Sequence, residues 1–151
     1  MATVANYSRA RILFAIIVLM ACVLAYAPGL GGPLFFDDLP NLTENTYLEF
    51  DGSRFDDWRV AILSNDSGVL HRPVAMLTFA VNRVVSGELS PLALKATNLL
   101  LHLLTGALLY QLLSAMLATP ALRSVVPAVE QRQLVALFAT ALWLLLSLIH
   151  I

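Results

Sequence analysis

The stretch LALKATNLLLHLLTGALLYQLLSAML, residues 92–117, decides the fold, and its single charged residue is Lys95. At 1.5 Å per residue a helix of this length is roughly 40 Å long, more than the ~30 Å of bilayer hydrocarbon, so it crosses with some tilt. Ser90 is a suitable N-cap and Pro91 suits the first helical position, while Thr119-Pro120 ends the run. Lys95, near the polar end, is expected to snorkel to the interface.

Two further apolar blocks lie on either side. ILFAIIVLMACVLAYA, residues 12–27, follows Arg9 and Arg11 and predicts a helix over about 12–30 with its N-terminus cytoplasmic. The same block also fits a signal peptide, with Ala25-Tyr26-Ala27 as the cleavage site, although Pro28 directly after it disfavours cleavage. LVALFATALWLLLSLIHI, residues 134–151, predicts a third helix that reaches the last residue with no polar tail, so the chain reads as cut short. The connection 118–133 carries Arg123 and Arg132 and reads as a cytoplasmic loop; 31–90, with no Lys or Arg between Ala27 and Arg54, reads as extracytoplasmic. The expected fold class is an all-α membrane protein with about three transmembrane helices and an extracytoplasmic loop bearing short interfacial helices. Its place is a bacterial inner membrane or the endoplasmic reticulum membrane.

Composition agrees. Of 151 residues, 59% are hydrophobic and 13% charged, against about 25% charged in soluble domains. The net charge of -1 and the lack of a basic cluster argue against nucleic acid as a partner. Cys22 is the lone cysteine, which excludes an internal disulfide; no zinc-ligand spacing exists and no motif calls for a cofactor.

The loop has its own organisation. Gly52-Ser53 followed by RFDDWRVAILS predicts a short helix near 54–64, with Ser53 and Asp56 placed as a capping box and Phe55, Trp58, Ala61 and Ile62 on one face. Residues 65–68, NDSG, read as a turn. RPVAMLTFAVNRVVSG predicts a helix over 73–86 that starts at Pro73 and stops at Gly87, apolar but too short to span. Asn41-Leu42-Thr43 and Asn65-Asp66-Ser67 are glycosylation sequons, relevant only in a eukaryotic secretory pathway.

The candidate site is the acidic pair in GGPLFFDDLPNLTEN, residues 31–45. Asp37 and Asp38 come a few residues after the first helix, with Phe35 and Phe36 as expected anchors. A carboxylate held at headgroup level can act as general base on an acceptor hydroxyl while meeting a lipid-borne donor. The plainer reading is a turn at the water boundary, initiated by Asp38 before Leu39-Pro40. Asp56 and Asp57, in the second Phe-Asp-Asp, are read mainly as first-turn charges favoured by the helix dipole. Arg72 offers a charged fork for a phosphate or a headgroup anchor. Asn98, His102 and Thr105 share one face of the second long helix, where polar groups either contact substrate or hydrogen-bond between helices.

FFDDLPNLTEN (35–45), the tryptophan-bearing helix, HRPVAMLTFAVN (71–82) and ATNLLLHLLTGALLYQLL (96–113) together resemble the start of the multi-spanning GT-C-fold glycosyltransferases. The likeness is to the transmembrane and tetratricopeptide-repeat-containing O-mannosyltransferases and their bacterial relatives. The matching positions are Asp37, Asp38, Arg72, Pro73, Thr78, Phe79, Asn82, Asn98 and His102. The resemblance implies sugar transfer from a polyprenyl-phosphate carrier to a protein or glycan acceptor on the extracytoplasmic side, with Asp37 as base. It implies that this chain is the N-terminal part of such an enzyme, inactive alone. The alternatives are a small non-catalytic multi-pass protein that assembles with a partner, or a binding module if the first block is cleaved.

Overall fold

The computed structural model of the chain describes residues 2–34, 38–65 and 69–146, with side chains from Arg9 onward. Every regular element among them is helical: α1 (Ala2–Leu30), α2 (Phe55–Leu63), α3 (Pro73–Ser86), α4 (Pro91–Leu117), α5 (Pro120–Val125) and α6 (Val129–Leu146). A π-helical turn at Leu39–Thr43 and a 3₁₀ turn at Thr46–Leu48 lie between α1 and α2. Among the described residues, three segments are long and apolar enough to cross a bilayer, namely Arg9–Leu30, Pro91–Leu117 and Val129–Leu146. This is the expected all-α membrane architecture.

Several boundaries differ from the sequence expectation. The first helix begins at Ala2 rather than near residue 12; residues 2–11 contain no glycine or proline to interrupt the helical backbone. The third long helix begins at Val129, five residues before the apolar run. Glu130 in its first turn suits the dipole there, and Arg132 donates to the carbonyls of Val126 and Pro127 at 2.8 and 2.7 Å. The part expected beyond residue 146, with His150, lies outside the described residues. Within the expected 118–133 loop, Thr119-Pro120 ends α4 and also starts α5, a six-residue helix too short to show periodicity.

The chain forms two compact units, Met1–Pro28 with Leu99–Ile151, and Gly29–Asn98. In the first, Val18 of α1 packs with Ala141 and Leu144 of α6, flanked by Phe14, Leu103 and Trp143. Phe14 and Phe138 meet with ring centroids 4.8 Å apart. Gly106 permits the close approach of α4 to α6: a Cβ there would lie 2.7 Å from Leu144 Cδ2. Small residues serve the same purpose at helix crossings in lipid.

The second unit has its own core, formed by Leu42, Leu48, Ala61, Met76, Ala80 and Leu94. Here α2 packs on α3. The latter matches its predicted bounds and stops at Gly87, whose φ of 74° is the left-handed value that favours glycine at a helix end. The expected capping box is absent. Ser53 instead donates its amide to Asp51 Oδ1 at 2.8 Å in a local turn, and the helix begins after an extended Arg54 with no side-chain cap. Phe55 is 82% exposed rather than part of the packed face. Helical side chains lean toward the N-terminus, so a ring on the first residue of α2 projects past the packed turns.

Candidate functional site

Asp38 opens the π-helical turn, half-buried, with φ −68° and ψ −30°. Pro40 lies in the first turn and the Glu44 amide closes it on the Leu39 carbonyl at 2.9 Å. Asp38 thus initiates a turn, as the plainer reading expected. Phe35, Phe36 and Asp37 lie outside the described residues, as does the 66–68 part of the expected turn. The anchors that are described are Leu42 and Leu48, 3% and 0% exposed, which plug the segment after the acidic pair into the core.

A buried asparagine cluster braces that segment. Asn45 Nδ2 donates to the Asn41 carbonyl at 3.1 Å and to Ser64 Oγ at 2.8 Å, while Asn45 Oδ1 accepts from the Tyr47 amide at 3.1 Å. Asn65 Nδ2 donates to Asn41 Oδ1 at 2.8 Å, and the Asn65 carbonyl accepts from His71 Nδ1 at 2.7 Å. Asn41, Asn45 and Asn65 are 6%, 8% and 4% exposed. Such groups are retained inside only when hydrogen-bonded. The cluster therefore runs from three residues after Asp38 to the residue before Arg72. In the folded state both sequon asparagines are interior groups, with side chains committed to this cluster.

Arg72 is exposed. It and His71 adopt left-handed backbone, φ 41° and 50°, unusual for residues with a Cβ. Arg72 precedes proline, which disfavours the right-handed helical region, yet its carbonyl already accepts the Met76 amide at 3.0 Å. Strain of this kind persists only where surrounding bonds over-determine the backbone, here the His71–Asn65 bond and the start of α3.

The remaining resemblance positions divide by role. Asn82 is buried: its Nδ2 donates to the Thr78 carbonyl and its Oδ1 accepts from Thr97 Oγ1, both at 2.9 Å, tying α3 to the start of α4. Phe79 packs on the core. Asn98 is exposed on α4 in the Gly29–Asn98 unit. His102 belongs to the other unit and is 8% exposed. Its Nε2 donates to the Leu144 carbonyl at 3.0 Å and its ring stacks on Trp143 at 4.9 Å, an interhelical contact within that unit. Thr105 is exposed and bonds back to the Leu101 carbonyl at 2.8 Å.

Lys95, expected to snorkel to the interface, has defined protein partners. Its ammonium donates to the carbonyls of Gly29, Gly32 and Pro33 at 2.9, 2.7 and 3.3 Å, capping the end of α1. A cation suits the unpaired carbonyls of a helix C-terminus. Neither this cap nor the asparagine cluster is visible in periodicity; the density of Asn in PNLTENTY is the one signal that hinted at the cluster. Among the described residues, no group of three or more His, Cys, Asp or Glu side chains could hold a metal ion.

Helices and site define an integral membrane protein whose segment between its first two spans folds as a braced unit. Over 92 residues the chain is 30% identical to protein O-mannosyl-transferase TMTC4 of Mus musculus, a match covering 58% of this chain and 12% of that protein. It is 28% identical to the Homo sapiens protein of the same name over 92 residues, with the same coverage. The chain thus matches about one eighth of the length of these curated relatives, 12% in each case. No protein-family profile matches the chain, and no solved structure matches it.

Proposed function

We propose that this chain forms part of the transmembrane domain of a GT-C-type glycosyltransferase that moves a sugar from a polyprenyl-phosphate carrier to a protein or glycan acceptor. The observation that carries this reading is the Asn41–Asn65–His71 bridge, which ties the segment following Asp37 and Asp38 to the His71-Arg72 segment. The similarity to an O-mannosyl-transferase supports the sugar-transfer chemistry.

Asp37 is the general base on the acceptor hydroxyl, with Asp38 beside it, and Arg72 offsets the charge that develops on the leaving carrier phosphate. Asn98 is a further substrate contact. His102 acts on substrate only through the α4–α6 contact it fixes. The loop lies on the extracytoplasmic face of a bacterial inner membrane or of the endoplasmic reticulum. Ser53 is exposed, so outside labelling of Ser53→Cys in intact cells tests that side.

The decisive experiment replaces Asp37 by Asn in the full-length enzyme and follows sugar transfer from the lipid-linked donor. Loss of a general base lowers the rate on the order of 10²–10⁴-fold. Near-normal transfer by a correctly folded Asp37→Asn enzyme would reduce the acidic pair to a turn at the water boundary.

A further inference from the structure

The second Phe-Asp-Asp is not used by the transfer reading, yet Asp57 lines an open groove of the Gly29–Asn98 unit. The groove has a volume of about 790 Å³, within the ~300–1,000 Å³ range of small-molecule sites. We propose that this groove is a subsite for an uncharged sugar on the acceptor. The proposal rests on the transferase reading for its role, and it narrows the acceptor to one that presents a carbohydrate.

Its frame is preformed. Gly52 has φ +83° and sits so close to Val84 that an added Cβ would lie 2.9 Å from a methyl group. Trp58 Nε1 donates to the Gly52 carbonyl at 3.0 Å, and the Trp58 ring meets Phe50 edge-on at 5.2 Å. A wall locked in this way needs little ordering when ligand arrives.

Its chemistry suits a polyol. Tyr47 is 60% exposed and lines the groove, with its backbone amide held by Asn45 Oδ1, so the wall carries an accessible aromatic ring. The C–H face of a pyranose packs on such a ring, and the phenol supplies a hydrogen-bonding tip. The Asp51 and Asp57 carboxylates on the lining offer acceptor oxygens to sugar hydroxyls, and Arg54 offers planar donors to hydroxyl oxygens. Arg83 is engaged by the Gly87 carbonyl, so it acts as fixed wall. Both charge signs are interspersed along the lining. An anion would meet the carboxylates and a cationic peptide the two guanidiniums, whereas a neutral polyhydroxylated ring satisfies both kinds of group.

The test uses the full-length protein in lipid nanodiscs and saturation-transfer NMR with methyl α-mannopyranoside as probe. A saturable signal is expected. Tyr47→Ala and the isosteric Asp57→Asn should each weaken it at least about fivefold, the loss of one net hydrogen bond to a charged group or its equivalent in ring contact. Ser124→Ala, on the exposed surface of α5, should leave it unchanged. Absence of a saturable signal, or equal binding by both variants, overturns the subsite. A wild-type protein that binds the mannoside but transfers no sugar sinks the transferase reading and leaves the subsite standing. Transfer without variant-sensitive binding does the reverse.

Discussion

Replacing Asn45 by Ala probes the brace on which the candidate site depends. The side chain makes three hydrogen bonds: two from Nδ2, to the Asn41 carbonyl and Ser64 Oγ, and one to Oδ1 from the Tyr47 amide. Their costs on removal differ. Ser64 Oγ still donates to the Ala61 carbonyl at 2.8 Å, so it loses only an accepted bond. The Asn41 carbonyl and the Tyr47 amide each lose this partner next to a core that includes Leu42 and Leu48. Each group stranded in this way costs about 1–3 kcal/mol, and water reaches the half-exposed Tyr47 side more easily than the Asn41 side. The sum is about 2–3 kcal/mol of local stability, which is roughly 30- to 150-fold faster amide exchange when opening is at equilibrium. Hydrogen-exchange mass spectrometry on the full-length protein in nanodiscs reads this directly. Acceleration is expected over 39–48 and also over the peptide carrying His71 and Arg72, because Asn41 connects to His71 through Asn65. Faster exchange confined to 39–48, with the His71–Arg72 peptide unmoved, would refute the idea that the cluster holds the two segments as one piece.

Three further outcomes follow from specific contacts. Gly106→Ala places a methyl 2.7 Å from Leu144 Cδ2 and 3.0 Å from its Cγ, and should destabilise the α4–α6 contact by about 1–3 kcal/mol, with Leu144→Ala partly rescuing the thermal midpoint in the double variant. Gly52→Ala combines an unfavourable φ of +83° with a 2.9 Å approach to Val84, and should cost more than Trp58→Phe, which forfeits mainly the bond to the Gly52 carbonyl; chemical denaturation of the three proteins ranks them. The Ser53 hydroxyl, with the Ser53 amide, holds the Asp51 carboxyl below the usual carboxylate range. With the folded pKa depressed, its small contribution is present above the unfolded value near ~3.9 and fades as pH falls through the folded one; Ser53→Ala should move the Asp51 carboxyl midpoint upward in an NMR titration.

The long helices were legible in the sequence because a bilayer imposes a requirement that local composition alone can meet. Twenty or so apolar residues satisfy their own backbone inside a helix, whatever else surrounds them. α3 was equally readable, since Pro73 and Gly87 act through their own φ preferences. The candidate residues Asp38 and Arg72 stood out by type and order in the chain. What holds their surroundings depends on partners far away in sequence, and no periodicity encodes that. Asn65 meets Asn41 across 24 residues, and Lys95 reaches Gly29 across 66. By type alone the sequon asparagines read as glycosylation acceptors and Lys95 as an interfacial anchor. Tertiary structure made the first pair interior braces and the second a helix cap, because a buried amide or an unpaired carbonyl must find its partner wherever the fold provides one.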